Sequence, residues 1–148
     1  MIAVLQRVSR AAVRSEGATL GSIGPGLVIL VAVEKGDGAA DLDWLSSKVL
    51  EMRVFSDSEG KMNRSARDVG AGLLVVSQFT LAADLSRGRR PGFERAAAPA
   101  EAEPLYEALV DRLRSSGLAV ATGRFRAAME VELVNEGPVT FVLEGRPR

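Results

Sequence analysis

Leu133-Val134-Asn135-Glu136-Gly137-Pro138-Val139-Thr140-Phe141-Val142, close to the C-terminus, is the stretch from which the chain is best read. Before it, Met129, Val131 and Leu133 alternate with Glu130 and Glu132; after it, Val139, Phe141 and Leu143 alternate again. Both flanks have the period of a half-buried strand. Gly137-Pro138 interrupts what would otherwise be one strand, where proline cannot donate to a ladder and glycine weakens it unless something must come close. Two readings stand. The plain one is a bulge or turn joining two strands, which this stretch alone favours. The sharper one is an X-Pro bond in its cis form, aiming a backbone carbonyl into a site.

Working outward, the rest of the chain supplies more strands than helices. Ile2, Val4 and Val8 have strand spacing, and Ala11 to Ser15 continues extended. Ala18 to Ile23 leads into the turn Gly24-Pro25-Gly26. Leu27 to Val33 is an unbroken, largely β-branched apolar run, the mark of a strand buried on both faces. Leu42, Leu45, Val49 and Met52 then recur at three- and four-residue intervals, predicting a helix over 39–53. Trp44 lies off that stripe and reads as packing. Ser56-Asp57-Ser58-Glu59-Gly60 reads as a loop, and Lys61, Arg64 and Arg67 as solvated surface. Leu73-Leu74-Val75-Val76 is the next strand, running into Ser77-Gln78-Phe79-Thr80-Leu81. Pro104 is suited to a helix first turn, with Glu101 and Glu103 near its positive end. Leu105, Leu109 and Leu113 form the buried stripe of that helix, Gly117 its stop, and Leu118 to Ala121 a short strand. The expected class is α/β: a single domain over 1–148, its mixed sheet closed or folded on itself into a barrel-like core with two main helices outside.

A chain of 148 residues can bury roughly 68–70% of its unfolded surface. Its 19 basic and 19 acidic side chains cancel, so nucleic-acid binding would have to use local clusters. No apolar run approaches a membrane span, and the N-terminus lacks signal-peptide features, which makes a cytoplasmic protein without a membrane partner the expectation. There is no cysteine and no histidine. Thiolate chemistry and a Ser-His-Asp triad are excluded, and a zinc hydrolase would lack its commonest ligand. Neither a metal nor a cofactor is expected. Hydroxyls, an amide and a ring gather at the strand end Ser77-Gln78-Phe79-Thr80. Ser86-Arg87-Gly88-Arg89-Arg90-Pro91-Gly92-Phe93-Glu94-Arg95 is a basic loop with one ring, suited to phosphates and a base. Thr122-Gly123-Arg124-Phe125-Arg126 is a second basic-aromatic patch; an exposed, solvated loop is the plainer alternative for both.

Three segments read together carry a resemblance: Ser77-Gln78-Phe79-Thr80-Leu81, Gly88-Arg89-Arg90-Pro91-Gly92-Phe93, and Asn135-Glu136-Gly137-Pro138-Val139-Thr140. With the opening Met1-Ile2-Ala3-Val4-Leu5-Gln6-Arg7-Val8, Phe55-Ser56-Asp57 and Thr122-Gly123-Arg124-Phe125, the chain resembles the D-aminoacyl-tRNA deacylase family over nearly its whole length. One departure is Gly92, where the family usually has a small hydroxyl residue before the phenylalanine.

The resemblance implies an editing hydrolase that cleaves the ester of D-aminoacyl-tRNA, and of glycyl-tRNA mischarged on tRNA-Ala, while rejecting L-aminoacyl-tRNA. It implies a homodimer acting on tRNA, not DNA. Gly137 and Pro138 would form a Gly-cisPro gate in the partner subunit's site. Ser77, Phe79 and Thr80 would supply the pocket and oxyanion donors without having to be nucleophiles, and Gln78 would bind substrate. Arg87, Arg89, Arg90 and Arg124 would hold the tRNA backbone, and the terminal 2′-hydroxyl would assist catalysis. Two rivals remain: an esterase using Thr80 or Ser77 as nucleophile, whose activation lacks a neighbouring base, and an inert RNA-binding or dimerisation module. The basic C-terminal tail, Glu144 to Arg148, has no assigned role.

Overall fold

The computed structural model describes residues 1–145; Arg146, Pro147 and Arg148 of the basic tail lie outside the described residues. One long strand organises the sheet. β1 (Ile2–Ser15) pairs antiparallel with β8 (Glu130–Glu144) along one edge. Its other edge is shared by β3 (Gly26–Ala32), against the first half, and β2 (Ala18–Ile23), against the second. Beyond β3 the sheet becomes parallel, through β6 (Gly72–Ser77) to β7 (Val120–Thr122). Parallel neighbours need long crossovers. These carry α1 (Ala39–Glu51) between β3 and β6, and α3 (Pro99–Arg114) between β6 and β7.

β2 curls over onto β6 and β7. A Cβ on Gly21 would stand 2.8 Å from the Thr122 carbonyl oxygen, so only glycine admits that approach. The sheet thereby nearly closes into a barrel. Val8, Ala11, Val13, Val28, Leu74 and Val76 fill its interior. The opposite face of β1, β3 and β6 presents Leu5, Leu27, Ile29, Leu73 and Val75 to Leu45 and Val49 of α1 and Leu109 and Leu113 of α3. The described residues form a single α/β domain with a barrel-like sheet and two main helices outside, as the strand and helix periods predict. No helix among them is long and apolar enough to cross a membrane.

Two boundaries differ from the sequence reading. Pro104 is inside α3, not in its first turn, because Pro99 already occupies the start of the helix after Ala98. The alanines around Pro99 carry no periodicity to reveal that earlier turn. The stretch read as loop and surface forms a small hairpin, β4 (Phe55–Ser56) with β5 (Met62–Arg64), followed by the one-turn helix α2 (Ala66–Val69), capped by Ser65. The Asp57 side chain ties its turn by accepting from the Glu59 and Lys61 N–H groups.

Tyr106 joins α3 to the sheet: its hydroxyl donates to the Val75 carbonyl at 2.8 Å. Burial pushes that hydroxyl's pKa up to about 12. Tyr106→Phe removes one partner of a buried carbonyl and should lower stability by about 1 kcal/mol, read as a shift in urea midpoint at unchanged slope. Because the folded pKa is raised above 10.0, the unfolded-like value, the tyrosine's contribution is intact below that pH and lost on going towards about 12.

Candidate functional site

β8 is one strand, and its interruption is a bulge. The ladder with β1 runs Val8↔Asn135 and then Gln6↔Thr140, so Glu136, Gly137, Pro138 and Val139 stand against Arg7 alone. The flanking alternation places both halves of β8 on the same partner. Gly137 has φ +140°, and the Gly137-Pro138 peptide bond is cis. Arg7 reaches into the bulge, its Nε donating to the Glu136 carbonyl at 3.1 Å, while its Nη1 donates to the Val54 carbonyl at 2.9 Å.

Away from the bulge, β8 leaves apolar groups uncovered. Val142 is 64% exposed, with Val134, Val131 and Phe141 at 36–39%. Strand alternation predicts Val131 on the buried face with Leu133; only Leu133 is half-buried among the barrel residues. Among the described residues β8 pairs with β1 alone, so its other edge is open.

The second candidate region lies at the C-terminal ends of the parallel strands, where open α/β sheets commonly bind ligands. Ser77 closes β6, its hydroxyl side chain half-buried. The chain then turns through a short 3-10 helix, Phe79–Ala82. The first N–H groups of such a turn, on Phe79 and Thr80, have no partner within it. Gln78 Nε2 donates to Thr80 Oγ1 at 3.1 Å. The Phe79 ring, 56% exposed, meets Phe93 with centroids 5.0 Å apart. That contact, unforeseen from sequence, fastens the basic loop to the strand end.

Gly92 contributes through its backbone: its N–H donates to the Asp84 carbonyl and its carbonyl accepts from the Asp84 N–H, at 2.9 and 2.7 Å. A Cβ there would meet Asp84 atoms no closer than 3.8 Å, so the position has room for a small side chain. At the loop tip Arg87, Arg89 and Arg90 are exposed and have no ion-pair partner among the described residues; Arg95 is instead spoken for by Glu34, at 2.7 Å. Asp84, the nearest carboxylate to Thr80 in sequence, is held below the usual carboxyl range by the Ser86 hydroxyl and N–H, with the Arg95 charge adding. Such a carboxylate is a weak base.

Arg124 belongs to the same end of the sheet. Val75 pairs with Thr122, the last residue of β7, and Arg124 follows two residues beyond that strand's end, as Ser77 follows Val75 on β6. Arg124 is exposed at the rim of a cleft of about 450 Å³ whose walls include Tyr106, Thr122 and Phe125, with Glu103 and Glu107 from α3.

Gly137 and Pro138 do not join this group within one chain. Arg7 is four residues along β1 from Ala3, which is level with Val31 and Ser77, and β8 is three strands across from β6. At about 3.4 Å per residue and about 4.8 Å per strand, the separation is roughly 20 Å.

This architecture has known counterparts. A solved structure titled "c-Myc DNA Unwinding Element Binding Protein" superposes with a TM-score of 0.93 at 36% identity, covering 99% of this chain and 100% of that one. A second, titled "Structural Analysis of a probable eukaryotic D-amino acid tRNA deacylase", shares the fold with a TM-score of 0.81 at 18% identity, over 96% and 97% of the two chains.

The sequence is more specific. Residues 4–144 match the family described as D-Tyr-tRNA(Tyr) deacylase. A relative from Syntrophotalea carbinolica, named D-aminoacyl-tRNA deacylase, is 59% identical over 144 residues, 97% of each chain. One of the same name from Symbiobacterium thermophilum is 58% identical over 142 residues, 96% of this chain and 94% of the relative. The chain belongs to the D-aminoacyl-tRNA deacylase family, which is a family of hydrolases.

Proposed function

We propose that this chain hydrolyses the ester of D-aminoacyl-tRNA, releasing free tRNA and the D-amino acid, and treats glycyl-tRNA mischarged on tRNA-Ala in the same way. The observation that carries this reading is the family match over residues 4–144, which spans both the strand end and the bulge. Incubation with D-tyrosyl-tRNA tests it: release of D-tyrosine supports it, and binding without hydrolysis would favour the inert RNA-binding module instead.

The protein works as a homodimer in this reading. An open edge along a 15-residue strand and a row of uncovered apolar side chains are a liability in a free monomer. A two-fold partner would cover both. The same pairing supplies the distance that one chain lacks, since Gly137-Pro138 lies roughly 20 Å from its own Ser77 strand end by strand geometry. The bulge of one subunit is then the gate over the other's site. An L-amino acid differs from its mirror image by exchanging hydrogen and side chain at one carbon. Backbone held in place rejects the wrong arrangement by clash, and glycine has no side chain to reject.

At the site, the N–H groups of Phe79 and Thr80 receive the developing oxyanion, with the Ser77 hydroxyl assisting. Gln78 orders Thr80 and borders the substrate. The proton chemistry comes from the RNA: the 2′-hydroxyl of the terminal adenosine, already adjacent to the ester, activates water. A protein nucleophile fits less well, since neither histidine nor cysteine exists in the chain and Asp84 is engaged by Ser86.

Arg87, Arg89, Arg90 and Arg124 contact tRNA phosphates. Reversing the charge of the three loop arginines should weaken tRNA binding and reduce the slope of log K against log salt by roughly 0.7–0.9 for each phosphate left unneutralised. Affinity and slope that stay put would leave those arginines as plain surface.

A further inference from the structure

Val139 sits where the bulge rejoins the ladder, and one side chain serves its backbone on both sides. Asn135 Oδ1 accepts from the Val139 N–H at 2.7 Å, and Asn135 Nδ2 donates to the Val139 carbonyl at 3.2 Å. A strand residue ordinarily exchanges such a pair of bonds with the residue opposite it. Here the amide of Asn135 takes the place of that missing neighbour. The second hydrogen of Nδ2 goes to Thr140 Oγ1 at 3.0 Å, which also accepts from Gln6 Nε2 at 3.3 Å. The amide orientation follows from these partners, because an N–H only donates and a carbonyl only accepts. Turning it over would break both bonds to Val139.

We propose that Asn135 is a positioning residue that determines specificity: its amide fixes the far end of the Gly137-Pro138 bulge, so that an L side chain meets backbone that cannot yield. The inference rests on the gate reading above. Arg7 anchors the near end through the Glu136 carbonyl, and Asn135 closes the far end through Val139. Without Asn135 the backbone of Val139 loses both bonds, and the far end is held only from Thr140 onward, by its ladder pairing with Gln6. The bulge can then move away from an L substrate, while a D substrate gains nothing from the movement. The Asn135 amide is spent on Val139 and Thr140, so in this reading it acts through the bulge backbone, and its loss acts on selectivity more than on turnover.

The test compares wild type, Asn135→Asp and Asn135→Ala on D-tyrosyl-tRNA and L-tyrosyl-tRNA, each variant also checked by thermal melting. Asn135→Asp keeps the shape and the acceptor for the Val139 N–H, but at neutral pH sets a carboxylate against the Val139 carbonyl. The ratio of D to L hydrolysis should fall by about tenfold or more, the scale of one or two ordinary hydrogen bonds. Protonation gives that carboxyl an O–H donor beside its acceptor. Selectivity of Asn135→Asp should therefore recover as pH falls towards the carboxyl range, whereas that of Asn135→Ala should not. A merely structural role would depress both substrates together and show no such rescue. Thr140→Val, which removes only the amide's second anchor, should give a smaller fall and serves if the Asn135 variants do not fold. Wild-type selectivity in folded Asn135→Asp at neutral pH, or in Thr140→Val should it be the variant that folds, overturns the proposal. A wild-type protein that itself accepts L-tyrosyl-tRNA fails the gate reading first, and is told apart by that control.

Discussion

Replacing the terminal adenosine of D-tyrosyl-tRNA by its 2′-deoxy form, with the amino acid kept on the 3′ oxygen, is expected to slow hydrolysis by roughly 10²–10⁴-fold, the usual contribution of a positioned acid–base group. Binding should largely survive, because the phosphates and the base are untouched. Elimination and geometry both lead to this expectation. The chain has no histidine or cysteine, Asp84 is a carboxylate already held in its ionised form by Ser86, and Thr80 Oγ1 accepts a hydrogen bond from the Gln78 amide. That amide donates to the hydroxyl and does nothing to take its proton. Thr80→Ala should accordingly retain activity to within about tenfold, the loss of one hydrogen bond. Unchanged turnover on the deoxy substrate, or an acyl-enzyme trapped on Thr80 or Ser77, would defeat the RNA-assisted mechanism in favour of a protein nucleophile.

The second large effect belongs to Gly137→Ala. The backbone there has φ +140°, a region in which side chains are strained, and an added Cβ would stand 2.6 Å from Val139 Cγ2 and 2.9 Å from the Val139 nitrogen. The backbone neighbour cannot withdraw freely, since the Val139 N–H is held by Asn135 at 2.7 Å. The bulge must shift. Strain of the order of 1–3 kcal/mol at such a residue corresponds to a loss of D-over-L discrimination of roughly 5- to 150-fold. Parallel assays on D- and L-tyrosyl-tRNA measure it. Discrimination equal to wild type in the folded variant would mean that the height of this segment does not set chirality.

How far the sequence foretold these features depends on the range of the interaction concerned. The run Leu27 to Val33 could only be a buried strand, and it is the centre of the sheet, with β1 on one side and β6 on the other. Both long helices announced themselves by the spacing of Leu42, Leu45 and Val49 and of Leu105, Leu109 and Leu113. The early start of α3 did not, because alanine runs have no period and a proline inside a helix reads as its first turn. Barrel closure was legible only as a class. Its cause is a backbone contact between Gly21 and Thr122, about a hundred positions apart along the chain and beyond any local pattern.

The site divides along the same line. Gln78 bonding Thr80, and Asn135 bonding Val139 and Thr140, are short-range contacts that motif spacing contained. The Asn-x-Gly-Pro-Val-Thr spacing held the signal for the clamp, although only the glycine and proline were singled out from it. Arg7 against Glu136 and Phe79 against Phe93 depend on strand register and loop path, so no reading of a single segment could have placed them. The alternation in β8 said which residues need cover but not what covers them. Val131 and Phe141, both on the stripe that alternation marks for cover, remain exposed among the described residues.

Deacylation of D-tyrosyl-tRNA and L-tyrosyl-tRNA by the wild-type chain, side by side at one enzyme concentration, tests the account most directly. The D ester should be hydrolysed and the L ester left intact beyond its spontaneous rate. Equal hydrolysis of both, or of neither, would contradict it.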